Sequence, residues 1–263
     1  MNSVNRNGVS YYQFENLARL RDIDHGIFTR KSGCSKPPFA SLNVSYGIGD
    51  EIKAVEKNRE SISRVMGAGT MTYIDQVHGS DIAVLRRDQN SGKNPARMQP
   101  IIADAVVTDL PGNYLAIQVA DCQSVLMHEP GCQVVANVHS GWRGSIANII
   151  GRTVDAMVSQ FDCNPGRIQA AIGPSLGPCC AEFVNYKTEI PGEFWRYRDT
   201  NNHFDFWAIS SDQLTAAGVP EEHIETCQIC TRCRTDEFFS YRAEKTTGRF
   251  AAVIGIRGMN NDK

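Results

Sequence analysis

The 263-residue chain lacks any apolar run long enough to cross a bilayer. Its opening stretch, MNSVNRNGVSYYQFENLARL, has no apolar core of the secretory type. Both absences lead to the expectation of a cytoplasmic protein that does not engage membranes. An excess of charge of one sign is also missing. With 27 basic and 29 acidic residues the formal net charge is −2, so there is no basic footprint for nucleic acid. No Gly/Ser/Pro linker, internal repeat or low-complexity segment divides the sequence, which favours a single domain. Three common catalytic signatures are absent: GxxxxGK[ST], HExxH and the HxE…PCxxC of cytidine-type zinc deaminases. That removes P-loop phosphate chemistry and two familiar zinc hydrolases. Nine cysteines, an odd number in a chain without a secretory leader, suit reduced thiols better than a disulfide framework.

What is present is an ordinary globular composition, 41% hydrophobic and 21% charged, enough for a substantial core. Short apolar, β-branched runs predict strands at 25–30, 71–77, 82–86, 101–109, 114–120, 124–128, 132–138, 167–173 and 249–256. Helical periodicity appears at about 50–66, 145–161 and 206–217. A polar stretch at 86–100 reads as a loop, and Glu-Pro-Gly at 129–131 as the turn of a hairpin over 124–138. Hairpins mixed with packing helices point to an α+β fold.

Three residues of metal-ligand type come just after apolar segments: His78, Cys122 and His139. Two imidazoles and a thiolate form a catalytic zinc set, with a fourth position left for water or substrate. Read singly, each residue is more often an ordinary one, a hydrogen-bonded surface histidine or a packed thiol. Gly-Trp-Arg-Gly at 141–144 opens a helical pattern, so Arg143 and the backbone N–H groups there could receive a phosphate. Alternatively Trp142 packs and Arg143 meets a surface carboxylate. The run CQICTRC spaces Cys227, Cys230 and Cys233 as metal ligands, but it has no fourth cysteine. A cluster would need a distant partner such as Cys179–Cys180, and free thiols are favoured.

The stretches DQVHGSDI (75–82), ADAVVTD (103–109), VADCQSVLM (119–127), VHSGWRG (138–144), IGPSLGPCC (172–180) and FFSYRAEKTTGRFA (238–251) occur in this order. Together with HGIFTRKSGCSKPPFASLNVSYGIGD (25–50) and KNRESI (57–62), they closely resemble the YfiH/YlmD family from about residue 24 to 256. The resemblance implies one domain over 1–263, with 1–23 as an N-terminal extension, in a four-layer α/β/β/α sandwich with mixed sheets. It implies a zinc site made of His78, Cys122 and His139, which copper could also occupy. Two departures from the family's pattern, Ser175 for a common cysteine and Ala181 for a common tyrosine, argue for a pocket-shaping loop at 172–181. Cys227 and Cys233 look like local additions around Cys230-Thr231.

Members of that family are variously described as purine nucleoside phosphorylases with adenosine deaminase activity, laccase-like polyphenol oxidases and a peptidoglycan editing factor. Six histidines are too few for a multicopper relay. Phosphorolysis of adenosine, inosine or methylthioadenosine suits the residues better, with purine nucleosides and phosphate as the small-molecule partners. In that reading Arg143 with Arg59 and Arg242 holds phosphate, and Asn43 and Gln76 bond ribose or base. Asp121, beside the ligand Cys122, handles a proton or orients the ligand shell, and Cys122 and His139 complete the catalytic group. A non-catalytic zinc would instead show a fourth protein ligand, such as Cys179 or His25.

Overall fold

The computed structural model describes residues 1–86 and 100–258. The loop expected at 86–100 therefore lies, from 87 to 99, outside the described residues. Two six-stranded mixed sheets stack face to face. The first runs in the order β1 (Asn2–Arg6), β2 (Val9–Gln13), β3 (Ile23–Phe28), β12 (Phe250–Ile256), β7 (Asn113–Val119), β4 (Thr70–Tyr73). The second runs β11 (Ile224–Thr226), β10 (Gln169–Ile172), β8 (Gln123–Glu129), β9 (Val134–Ser140), β6 (Ala105–Thr108), β5 (Ile82–Leu85). Helix α2 (Ile52–Met66) covers the outer face of the first sheet, and α4 (Ile149–Phe161) and α6 (Phe206–Ala216) cover that of the second. This is the four-layer α+β arrangement in a single domain.

The layering follows from side-chain alternation along the strands. In β7, Leu115, Ile117 and Val119 point between the sheets, while Tyr114 and Ala116 meet Ile62, Val65 and Met66 of α2. In β9, Val135 faces the inter-sheet core and Val134, Ala136 and Val138 meet Ile150, Val154 and Met157 of α4. Because both faces are covered, β8 and β9 are buried at every position, and apolar residues fill adjacent places on both faces at Val125–Met127 and Val134–Ala136. The polar residue in the middle of β9, Asn137, ties the two sheets together: its Nδ2 donates to Leu115 O and Ala252 O at 3.0 and 2.9 Å.

The predicted hairpin forms, with Val125 opposite Val138 and Met127 opposite Ala136. The helix expected over 145–161 is broken into α3 (Trp142–Ile146) and α4, because Asn148 adopts a left-handed φ of 53° and caps α4 by accepting from Gly151 N. Residues 1–23 are more integrated than an extension. Strands β1 and β2 carry the first sheet to its edge, and Phe14 and Leu17 of the following turn, α1 (Glu15–Ala18), are fully buried. Among the described residues no helix is long and apolar enough to cross a membrane.

Candidate metal centre and its cavity

His78, Cys122 and His139 come together where the chain passes between sheets. The segment from β4 to β5 carries His78 from the first sheet to the second, and the turn from β7 to β8 does the same for Cys122. His139 lies within the last turn-ward residues of β9, paired with Ser124 just beyond Cys122. Their ligand atoms all lie within 4.8 Å of one another. Cys122 Sγ is 3.8 Å from His78 Nε2, and the two imidazole rings meet edge-on with centroids 4.8 Å apart.

Asp104, just before β6 and fully buried, organises the group. Its Oδ1 accepts from His139 Nδ1 at 2.8 Å and from the His78 backbone N–H at 2.9 Å, while Oδ2 accepts from Gly79 N at 2.6 Å. Burial raises this carboxyl, but the His139 hydrogen bond and the Gly79 and His78 amides outweigh it and hold the group below its ordinary value. Bonding Nδ1 to a carboxylate leaves His139 Nε2 for the cavity, the usual arrangement of a metal-ligating imidazole. Burial opposes charge on both partners, yet the Cys122 thiol is pulled down to about 6 by the two histidines, and His139 is raised to about 9 by Cys122 and Asp104. The thiolate that a metal requires is therefore the favoured form near neutrality.

The backbone leaves room for an ion. A Cβ on Gly141 would lie 3.1 Å from His78 Cδ2 and 3.3 Å from Cys122 Sγ. A Cβ on Gly144 would lie 3.3 Å from Ile149 Cγ2 and 3.4 Å from Gly79 O. These contacts explain the two glycines flanking Trp142-Arg143: they let the strand end press against the ligand loops. His2Cys donors, an aspartate behind one imidazole and space at Gly141 fit a catalytic-type metal with three protein ligands. Neither fourth-ligand candidate joins them. Cys179 belongs to a separate group of sulfurs, and buried His25 accepts at Nε2 from Phe14 N at 2.8 Å.

A cavity of about 780 Å³ opens over the trio. Arg59, Arg242 and Arg249 line it, as do the exposed rings of Tyr46 and Tyr241. Arg59 is sandwiched between Tyr46 and Tyr73, with ring centroids 4.2 and 3.7 Å from its Cζ. Burial pulls its guanidinium below the ordinary arginine value, against the opposing influence of Tyr73, Tyr46 and Asp75. Arg242 donates from Nη1 to Glu182 O at 3.0 Å, and Arg249 donates to Thr247 O and Gly248 O.

The other residues expected at the site are placed unequally. Gln76 lines the cavity, but its amide replaces a ladder pair, donating to Gln118 O and accepting from Gln118 N, both at 2.8 Å. Asp121 also lines it, with φ at 83°, and accepts from Thr231 Oγ1, Ser240 Oγ and Arg242 N at 2.7, 2.7 and 2.6 Å. With three donors already bound, Asp121 anchors loops rather than shuttling protons. Asn43 is fully buried outside the cavity lining, and its amide is used by Ser45, Asp50 and Arg249 N. Arg143 is exposed, lies outside the lining, and rests over its neighbour Trp142 at 4.3 Å. The anion site expected at 141–144 is thus not formed as read, since Arg143 is exposed outside the cavity lining and α3 is a single short turn.

Sequence reasoning passed over Asp104 and Arg249. Both lie inside the matched stretches, ADAVVTD and TTGRFA, and a carboxylate beginning an otherwise apolar strand was the available signal for the first.

A family profile described as "Multi-copper polyphenol oxidoreductase laccase" matches residues 24–257. The chain is 34% identical over 245 residues to "Purine nucleoside phosphorylase YlmD" of Geobacillus stearothermophilus, covering 88% of this chain and 89% of the relative. It is 34% identical over 240 residues to "Purine nucleoside phosphorylase YfiH" of Escherichia coli, covering 87% and 91%. Among solved structures, YlmD from Geobacillus stearothermophilus superposes with a TM-score of 0.82 at 31% identity, covering 95% and 96%. The hypothetical protein YfiH of Bacillus licheniformis superposes with 0.83 at 26% identity, over the same shares of each chain.

Proposed function

The chain belongs to the YfiH/YlmD family, whose profile carries the laccase description, and on that footing we propose that it is a zinc-dependent purine nucleoside phosphorylase that also deaminates adenosine. The observation that carries this reading is the cavity, which sets the His78–Cys122–His139 group beside three arginines and open aromatic rings. Phosphorolysis breaks the bond between purine nitrogen and ribose C1 and joins C1 to a phosphate oxygen, so the site must hold a dianion next to an apolar base. Arg59, Arg242 and Arg249 supply the positive charge, and partial burial strengthens their pull on an oxyanion. Tyr46 and Tyr241 offer faces for the purine ring. Asp121 is a positioning residue: through Arg242 N and Ser240 it fixes the turn that presents Arg242. His78, Cys122 and His139 would hold the zinc, with Asp104 fixing the His139 tautomer. Zinc in that position supplies Lewis-acid polarisation of a substrate hydroxyl or of the water that deamination consumes.

Copper would also be accepted by a His2Cys set, and the family description favours testing it. A multicopper relay, however, needs several further histidines. Among the described residues, the only histidines in groups that could hold a metal are His78 and His139. Phenol oxidation by this chain is therefore expected to be weak and confined to copper-loaded protein.

The test is purified protein incubated with adenosine, with and without phosphate, the products separated by chromatography. Adenine and ribose 1-phosphate should form only with phosphate, and inosine in both conditions. Adenine release at an undiminished rate without phosphate, or strong phenol oxidation by protein as isolated, would reject the assignment.

A further inference from the structure

The cysteine-rich run at 227–233 was not absorbed by this site, and the fold gives it partners that lie far away in sequence. Cys230 and Cys233 face the adjacent pair Cys179 and Cys180, and all four sulfurs lie within 4.8 Å of one another. Cys233 Sγ is 3.7 Å from Cys179 Sγ and 3.6 Å from Cys180 Sγ. Four thiolates around a tetrahedral zinc, with Zn–S near 2.3 Å, stand about 3.8 Å apart. Cys227 is not part of the group. It packs against the inter-sheet core, where burial pushes its thiol up to about 12.

We propose that Cys179, Cys180, Cys230 and Cys233 bind a structural zinc ion, a second metal site separate from His78, Cys122 and His139. The donor set is sulfur only, which selects a soft-accepting tetrahedral ion over magnesium, calcium or manganese. Four protein ligands close the coordination shell, so this zinc supports structure and not turnover. Cys180 and Cys230 are buried whereas Cys179 and Cys233 are exposed, which gives the ion a route in.

The site would clamp two loop segments to each other. The 174–181 loop touches the 227–234 loop through an isolated bridge between Ser175 and Cys230, and both loops grip Asp121: Leu176 N donates to its carbonyl and Thr231 Oγ1 to its carboxylate. Ser175 and Leu176 also form a wall of the cavity. A zinc ion at the four sulfurs would hold that wall against Cys122's own turn.

The experiment is metal analysis of protein purified with reductant and supplied with zinc, together with cobalt substitution. Wild type should bind about two zinc ions per chain. Cys179→Ser combined with Cys233→Ser, both at exposed positions, should lose one equivalent and the intense thiolate-to-cobalt charge-transfer bands of an all-sulfur site. His139→Ala should lose the other equivalent and keep those bands. In unmodified protein, a zinc chelator should accelerate the reaction of the four thiols with a disulfide reagent at least tenfold, a reading that does not require a variant to fold. Unchanged zinc content in the double cysteine variant would overturn the proposal. So would thiols whose reactivity ignores the chelator, iron in place of zinc at these sulfurs, or a Cys180–Cys233 disulfide in zinc-supplied protein.

Discussion

Gly141 has ordinary backbone angles, φ −75° and ψ 171°, so alanine would be tolerated there by the chain itself. What it would not be tolerated by is the ligand group, since its Cβ would press on His78 and Cys122 at 3.1 and 3.3 Å. Gly141→Ala is therefore expected to leave thermal unfolding within about 1 kcal/mol of wild type while lowering zinc affinity at the trio by roughly tenfold or more, an effect of displaced ligands. Competition with a chromophoric chelator measures it, and wild-type affinity in the variant would show that the spare room is not used by a metal. Asp104→Asn probes the layer behind. The amide still accepts from one backbone N–H, but it no longer pairs as a carboxylate with His139 Nδ1. Zinc affinity should fall about 10–100-fold, with nucleoside turnover falling in parallel at limiting zinc. Unaltered affinity would mean that His139 needs no fixed tautomer. Of these residues the clustered trio was legible as a candidate, because histidine and cysteine after apolar runs stand out. Asp104 was only partly legible: a carboxylate opening an apolar strand marks it as unusual, but ADAVVTD does not say that it faces His139 and the His78 turn.

At the scale of elements, the reading of Gly-Trp-Arg-Gly changed most. A strand followed by a helical period did predict β9 and α4, but the left-handed Asn148 inserts a break, and α3 becomes a separate turn that carries Arg143 outward. Short polar strands such as β1 were invisible for another reason: their exposed residues have no apolar alternation to detect. Likewise the approach of Cys179–Cys180 to Cys230–Cys233 depends on two loops about 50 residues apart meeting, and no local spacing encodes that. The placement of the arginines gives an expectation with two arms. Arg249→Ala, at the cavity, should raise the KM for phosphate and lower phosphorolysis by about one to two decades, the worth of a charge-assisted contact of roughly 1.5–3 kcal/mol. Inosine formation from adenosine should fall much less, since water replaces phosphate. Arg143→Ala, outside the cavity, should change both activities by less than about twofold. Initial rates with phosphate varied decide the matter. A phosphate defect in Arg143→Ala and none in Arg249→Ala would return the anion site to the start of α3.

For the whole molecule, the layers were legible because buried strands and amphipathic helices write their faces into the sequence, whereas the place of residues 1–23 was not. Their integration runs through a buried pair. His25 on β3 is almost fully enclosed, stacks on Phe14, and accepts the Phe14 N–H at Nε2, so the N-terminal segment is fastened to the core by a neutral imidazole. Burial lowers this histidine from an ordinary 6.5 to about 4. The unfolded chain therefore takes up a proton between those values that the folded chain refuses. The stabilisation is complete above pH 6.5, declines as the pH falls toward 4, and changes no further below that. The loss between pH 7 and pH 4.5 amounts to about 2–3 kcal/mol from this residue alone. His25→Gln keeps an acceptor for Phe14 N–H and cannot titrate, so its stability relative to wild type should improve by that amount over the same interval, even if it starts lower at pH 7. Denaturant unfolding of both proteins at pH 7, 5.5 and 4.5 isolates the effect, because carboxylate protonation and loss of metal in acid are common to both and cancel in the difference. A gap between wild type and variant that stays constant with pH would show that His25 is charged in the fold or that the N-terminal segment opens before the core does.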